Sequence, residues 1–302
     1  MESTEALSRP VTSSRTVPAP ARAALLNPWP RITLGKVAFL ALVIAAYYWG
    51  LKGTNADPRE LVEGIPNIVR FLLKLFPPIY TMREITLPWA AVLPATSSLN
   101  TINIPEIILA IIETVQMAVI GTTLAVFLSL PFGLLAARNT SPYPVVYQAT
   151  RMVMNMVRAI PEIIFALIFV SAVGLGPFGG VLALAVGSIG FLGKMYAESI
   201  EAIDPQQVLA VRATGASRLQ VFGFSVVPQA LPLMVSASLY SFEHNVRSAT
   251  ILGLVGAGGV GFIITKHIAL FQFKQLMGAL ILIIITVTAI DRISDRLRKK
   301  LI

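Results

Sequence analysis

The sequence predicts an all-α, polytopic membrane protein with six transmembrane helices, and three observations carry that expectation. Of 302 residues, 55% are hydrophobic and only 13% are charged, against about 25% charged in ordinary soluble domains. Six apolar runs reach the roughly 20 residues that a helix needs to cross the hydrocarbon core. The net charge of +9 comes from basic residues gathered at the margins of those runs, a pattern of membrane orientation rather than of nucleic-acid binding. The absence of cysteine excludes disulfides, thiol nucleophiles and cysteine-ligated metals.

Residues 1–33 are rich in Ser, Thr, Pro, Ala and Arg and read as a disordered cytoplasmic tail. The run over 34–51 lacks a small-residue cleavage site and reads as a retained N-terminal span, with Tyr47, Tyr48 and Trp49 as its interfacial aromatic belt. Residues 52–105 are broken by Pro58, Pro66, Pro77, Pro78, Pro88 and Pro94. They read as an extracytoplasmic segment, within which residues 65–76, with Arg70 and Lys74 one turn apart, suit an amphipathic helix lying on the outer face.

A core over 106–291 follows, with spans at 107–137, 152–173, 178–200, 229–254 and 273–290. The first of these is overlong and contains Pro131, so tilt or a kink is expected. An even number of spans places both termini on one side. Arg9, Arg15, Arg22, Arg31 and Lys36 near one end, and Arg292, Arg296, Arg298, Lys299 and Lys300 in a basic tail over 292–302, make that side cytoplasmic.

Between the fourth and fifth spans lies a polar, basic island over 204–228. Asp204 can cap a helix whose first residue is Pro205, where the missing N–H is not needed. Gly215 suits a left-handed stop, and Ser217 with Gln220 can form the capping box of a second helix bearing Leu219 and Phe222. A helix–glycine–helix knob outside the bilayer has no direct use in moving solute. It is a shape for another protein to hold.

Gly256, Gly258 and Gly261 satisfy G-x-G-x-x-G, but a dinucleotide site needs a preceding strand, a following helix and an acid about 20 residues on. The expectation is a glycine-rich re-entrant turn or outer loop. No G-x-x-x-x-G-K-[ST] occurs, so this chain does not hydrolyse ATP by that route. His244 and His267 have no ligand-spaced partner in the sequence, which argues against a metal site.

Charges inside apolar runs are informative because each costs about 2.5–3.5 kcal/mol at a span centre. Arg158 and Glu162 are four apart, as are Glu243 and Arg247, so each pair is expected on one helix face. Two readings stand: mutual neutralisation that lets the helices pack, or an arginine that faces an aqueous path and offers its planar fork to an oxyanion. Lys194 with Glu198 reads as an interfacial, structural pair. Glu113 with Gln116 lies deeper in its span, and its role stays open.

The island resembles the coupling loop of ABC importer permeases, whose pattern is Glu-Ala-Ala, three residues, Gly, nine residues, Ile-x-Leu-Pro. Ala210, Gly215 and Pro228 fall on that pattern, with Val227 before the proline. Leu209, Val211 and Ser225 stand where Glu, Ala and Ile are usual. Residues 158–194, 213–222 and 242–262 are similar to the permease of phosphonate importers, a group that includes phosphite and hypophosphite carriers.

The resemblance implies a type I permease in a bacterial plasma (inner) membrane, acting as a homodimer with an ABC ATPase dimer. A periplasmic or lipid-tethered binding protein would deliver the anion. ATP and Mg would be bound by the partner ATPase, and no cofactor by this chain. It implies coupling through Asp204, Leu209, Ala210, Arg212, Ala213, Thr214, Gly215, Ala216, Ser217 and Arg218. Arg158, Glu162, Glu243, Asn245 and Arg247 are the expected residues of the substrate path. An ion-coupled secondary carrier for a small anion is the alternative, but it would be expected to show repeated halves, and no obvious repeat is seen. An intramembrane enzyme would need a nucleophile, base or metal constellation that the spacing does not offer.

Overall fold

A computed structural model of the chain describes residues 34–54, 58–86 and 101–301. The tail expected over 1–33, and the breaks at Pro88 and Pro94, lie outside the described residues. The chain forms two units, residues 1–68 and 69–302. In the first, helix α1 (Leu34–Gly53) is apolar all round and buries none of its side chains, as suits a helix solvated by lipid. Helix α2 (Pro58–Leu75) begins earlier than the amphipathic stretch expected, with Pro58 at its first position and Pro66 inside, and it crosses the boundary between units.

In the second unit, strand β1 (Met82–Thr86) pairs antiparallel with β2 (Thr101–Pro105), a small sheet that the reading of this proline-broken stretch does not include. β2 runs directly into helix α3 (Glu106–Ala136), which stays continuous through Pro131. At 31 residues α3 is about 46 Å long, more than a bilayer core needs.

α3 packs closely on helix α6 (Pro177–Glu201) through small residues: Ala118, Gly121, Thr122, Ala125, Ser129 and Gly133 are all buried. A Cβ added at Gly121 would sit 2.9 Å from Leu184 Cβ, and one at Gly133 would sit 2.7 Å from Tyr196 Cβ. Close approach without side chains is how helices gain dispersion energy where lipid removes the hydrophobic drive. Both contacts advance in the same direction along the two chains, so α3 and α6 run parallel.

The span expected over 152–173 is not one helix. It is α4 (Pro144–Ala159) and α5 (Glu162–Val173), bent by 83° at Ile160 and Pro161. Pro161 excludes helical backbone at the residue before it, and Ile160 is extended, at φ −87° and ψ 122°. α4 lies antiparallel on a glycine ladder of α6, where a Cβ at Gly190 would meet the Met154 carbonyl oxygen at 2.6 Å and one at Gly193 would meet Met154 Sδ at 2.6 Å.

Helices α7 (Pro205–Ala213) and α8 (Arg218–Val221) form the island, and a π-helical turn, Phe222–Val226, carries α8 into α9 (Val227–Leu252). The second helix of the knob is therefore continuous with the fifth span rather than a separate piece. After a glycine turn come α10 (Gly259–Ala269) and α11 (Phe273–Leu301). Of the basic end expected as a separate tail over 292–302, the described residues 292–301 are the last part of α11, with Ser294 2% exposed. Among the described residues, five helical segments are long and apolar enough to cross a membrane, or six with the bent pair counted as one span.

Candidate functional site

The knob is built as its local signals require. Asp204 accepts a hydrogen bond from the Gln206 N–H at 2.9 Å, and Pro205 opens α7. Gly215 sits at φ +80°, left-handed backbone that glycine adopts without strain. Its N–H donates to the Arg212 carbonyl at 3.0 Å, and the Thr214 hydroxyl donates to the Val211 carbonyl at 2.8 Å. The Ser217 N–H donates to Gln220 Oε1 at 2.8 Å and the Gln220 N–H to Ser217 Oγ at 3.4 Å, a reciprocal capping box.

Asp204, Leu209, Ala210, Arg212, Ala213, Ser217 and Arg218 are exposed, and Ala216 is half-buried. Leu209 is 55% and Leu219 84% exposed. The knob is thus rigid inside and bare outside. At its base the Asp204 N–H donates to Gln229 Oε1 at 2.9 Å, fastening it to the first turn of α9.

A second feature lies where the bend of α4 and α5 meets α6 and α9. A cavity of about 560 Å³ is lined there by Arg158, Glu162, Ser188, Ser241, His244 and Ser248, with Phe191, Tyr240 and Ile251 on its apolar side. Glu162 Oε1 is 3.1 Å from His244 Nε2, and Ser248 Oγ is 3.5 Å from the same nitrogen. Arg158 is exposed, and among the described residues no hydrogen bond or ion pair engages its side chain. Ser241, 1% exposed, has a hydroxyl with no partner.

The expected pairings within each four-residue spacing are not formed. Pro161 stands between Arg158 and Glu162 and breaks the helix they were expected to share, so Glu162 turns to His244 instead. Glu243 and Arg247 do share α9, but both point at α11. Arg298 Nη2 donates to Glu243 Oε1 at 2.7 Å, and Arg247 Nη1 lies 3.2 Å from Asp291 Oδ2. Asn245 faces the third side of α9, fully buried, donating to Thr122 Oγ1 at 2.8 Å and accepting from Ser188 Oγ at 2.9 Å. Of the five expected path residues, the cavity thus gathers Arg158 and Glu162 and leaves Glu243, Asn245 and Arg247 in interhelical contacts.

Sequence reasoning set His244 aside as isolated, and it overlooked Ser188, Ser241 and Ser248. The signal for them was Ser241, His244 and Ser248 at helical spacing on one side of α9. Nothing in the sequence said which side faced a cavity.

The remaining expectations resolve simply. Lys194 and Glu198 approach to 4.0 Å. The glycine turn has Gly256, Gly258 and Gly259 at φ +87°, +78° and +65°. Of the features a dinucleotide site needs, a following helix is present, as α10, but a helix and a 3-10 turn precede the glycines, not a strand. Thr114 Oγ1 accepts the Val260 N–H at 2.9 Å, and a Cβ at Gly258 would meet Glu113 Oε1 at 2.9 Å. Glu113 is thus packed against the start of α10.

A bundle of spans with a bare, internally capped two-helix knob at one end of a helix pair, and a largely apolar cavity that gathers a few polar groups between the helices, fits a membrane transport subunit driven from outside itself. Residues 129–301 match the family of the binding-protein-dependent transport system inner membrane component, and the chain belongs to that family. It is a multi-pass permease and not an enzyme.

Among curated relatives, a phosphite transport system permease protein of Stutzerimonas stutzeri is 35% identical over 90% of this chain and 90% of its own length. A phosphate-import permease protein of Mycolicibacterium smegmatis is 44% identical over 65% of this chain, which covers 37% of that longer protein. Among solved structures, an inward-facing MetNI methionine ABC transporter aligns with a TM-score of 0.58 at 24% identity, over 65% of this chain and 96% of its own. That likeness is one of fold.

Proposed function

We propose that this chain forms the translocation path of an ATP-driven importer for a small phosphorus oxyanion of the phosphite or phosphonate class. It works as a homodimer with both termini in the cytoplasm. ATP and Mg are bound by a separate ATPase dimer that grips residues 204–222, and a binding protein outside the membrane delivers the anion. The observation that carries the coupling is the exposed knob, whose capping makes it rigid enough to transmit a push and whose base is tied to α9.

The cavity supports the solute assignment. An arginine without a counter-ion among the described residues, beside a histidine and the hydroxyls of Ser241 and Ser248, offers the donors that a tetrahedral oxyanion accepts. In an apolar setting such a charge is retained at a cost unless it meets a ligand or water. Solute contact falls to Arg158, with Ser241 and Ser248, while Glu162 holds His244. Glu243, Asn245 and Arg247 join helices. ATP-driven alternating access would open this cavity first to one side and then to the other.

The test is uptake of phosphite into sealed vesicles carrying this chain with its co-purified ATPase and binding protein. The expected result is uptake that requires ATP inside the cytoplasmic compartment and survives collapse of ion gradients. Uptake by this chain alone, driven by a sodium or proton gradient, would overturn the reading.

A further inference from the structure

The last residue of α6, Glu201, stands three positions before the Asp204 cap of the knob. Its carboxylate is clamped. Glu201 Oε1 accepts the Arg138 N–H at 2.8 Å, and Arg151 Nη2 of α4 donates to both carboxylate oxygens, at 3.1 and 3.0 Å. Arg151 Nε donates to the carbonyl of Ala136, the last residue of α3, at 3.0 Å. One guanidinium, from the middle of α4, therefore joins the C-terminal ends of α3 and α6. Tyr147 lies under it, with the Arg151 guanidinium carbon 4.7 Å from the ring centroid, and the Tyr147 hydroxyl accepts from Arg138 Nε at 3.1 Å. A further bond, from Asn139 Nδ2 to the Ile200 carbonyl at 2.6 Å, binds the loop after α3 to the same helix end.

Arg151 and Arg158 are seven residues apart on α4, two turns along the same face and about 10 Å in rise. We propose that Arg151 and Glu201 are positioning residues that carry movement of the knob into α4, and so shift Arg158 at the cavity. The knob has two attachments, and each leads to one wall of that cavity. Asp204 and Gln229 lead along α9 to His244, whereas Glu201 and Arg151 lead along α4 to Arg158. Between the walls stands the Glu162–His244 contact. A fixed pair at the root of the knob makes α4 follow α6, because the guanidinium is held at two edges at once, Nη2 on the Glu201 carboxylate and Nε on the Ala136 carbonyl, and its planar donors are rigid. Without it, α4 is held to α6 at this end by apolar packing of Met154, Ala197 and Ile200, which permits sliding.

This inference rests on the reading of residues 204–222 as the ATPase contact, and the experiment separates the two. The complete complex, with ATPase and binding protein, is reconstituted as wild type, Glu201→Gln and Arg151→Lys. Phosphite transported per ATP hydrolysed is measured, together with the yield of assembled complex and the unstimulated ATPase rate. Coupling free energies of the usual size correspond to about 5- to 150-fold. The expected result is a fall of about tenfold in phosphite moved per ATP in both variants, at unchanged assembly and unstimulated hydrolysis. The reversed pair, Arg151→Glu with Glu201→Arg, is expected to recover part of the ratio.

An unchanged ratio in both single variants overturns the proposal. So does loss of assembly in both, which would assign the pair to stability alone. A wild-type complex without ATP-dependent uptake would instead remove the reading of the knob itself.

Discussion

Charged groups lie against two sides of helix α9, and the sides differ in whether their charge is used up. Toward α11, Glu243 meets Arg298 and Arg247 meets Asp291. Toward the cavity, Glu162 of α5 meets His244, and Arg158 of α4 makes no hydrogen bond or ion pair with a side chain among the described residues. Charges that satisfy each other between helices hold a bundle together and offer little to a passing ion. A charge left unmatched at a cavity wall is retained at a cost, and it is on that wall that the proposed path is placed. Residue type alone does not distinguish Arg158 from Arg247; partners do.

Removing Arg158 is the strongest way to test the contrast. Arg158→Ala is expected to lower phosphite uptake on the order of a hundredfold at low solute, as expected for truncating a charged contact, while assembly with the ATPase is unchanged in pull-down. Gly190→Val should come next. Its Cβ would meet two backbone atoms, the Met154 oxygen at 2.6 Å and the Arg158 nitrogen at 2.9 Å, neither of which can rotate away. Overpacking of this kind costs about 1–3 kcal/mol, to be seen as a lower Tm in detergent together with reduced uptake, because α4 and Arg158 are displaced.

On the other side of α9, Glu243→Gln removes one of the two carboxylate partners of Arg298, whose side chain is 28% exposed and which keeps Asp295 at 3.5 Å. With that exposure the loss is expected at about 1–2 kcal/mol, below the cost of breaking a fully buried pair. Tm should fall, but uptake per assembled complex should persist. The smallest effect is expected for Arg247→Ala, whose side chain and that of Asp291 are 46% and 37% exposed. Such a pair contributes less than about 1 kcal/mol, so neither Tm nor uptake should move much. A large loss of uptake in Arg247→Ala with intact assembly would erase the distinction between the two sides.

The span count and the knob were legible because their signals are local or summed over many residues. Hydropathy over about 20 residues finds a span, and Asp204, Gly215, Ser217 and Gln220 each act within three or four positions. The bend at Pro161 was hidden by the same averaging, since Ile160, Ile163 and Ile164 keep the run apolar across the break. The β1–β2 pair was hidden in a proline-broken stretch, where each strand has only five residues. The true ion-pair partners lay beyond any local rule. Glu162 is 82 residues from His244, Glu243 is 55 from Arg298 and Arg247 is 44 from Asp291. Four-residue spacing suggested nearer partners, which a helix break in one case and an adjacent helix in the other took away.

Because the chain has no cysteine, a single introduced thiol reports on one place alone. Ser248→Cys puts it in the cavity wall beside His244, and Asp295→Cys puts it on α11 away from that cavity, as a control. The decisive measurement is the rate at which a small thiol reagent labels each variant in the reconstituted complex, with and without phosphite during ATP-driven turnover. Slower labelling by phosphite at position 248 and no change at 295 is the result this account expects. Equal rates with and without phosphite at 248 would contradict it.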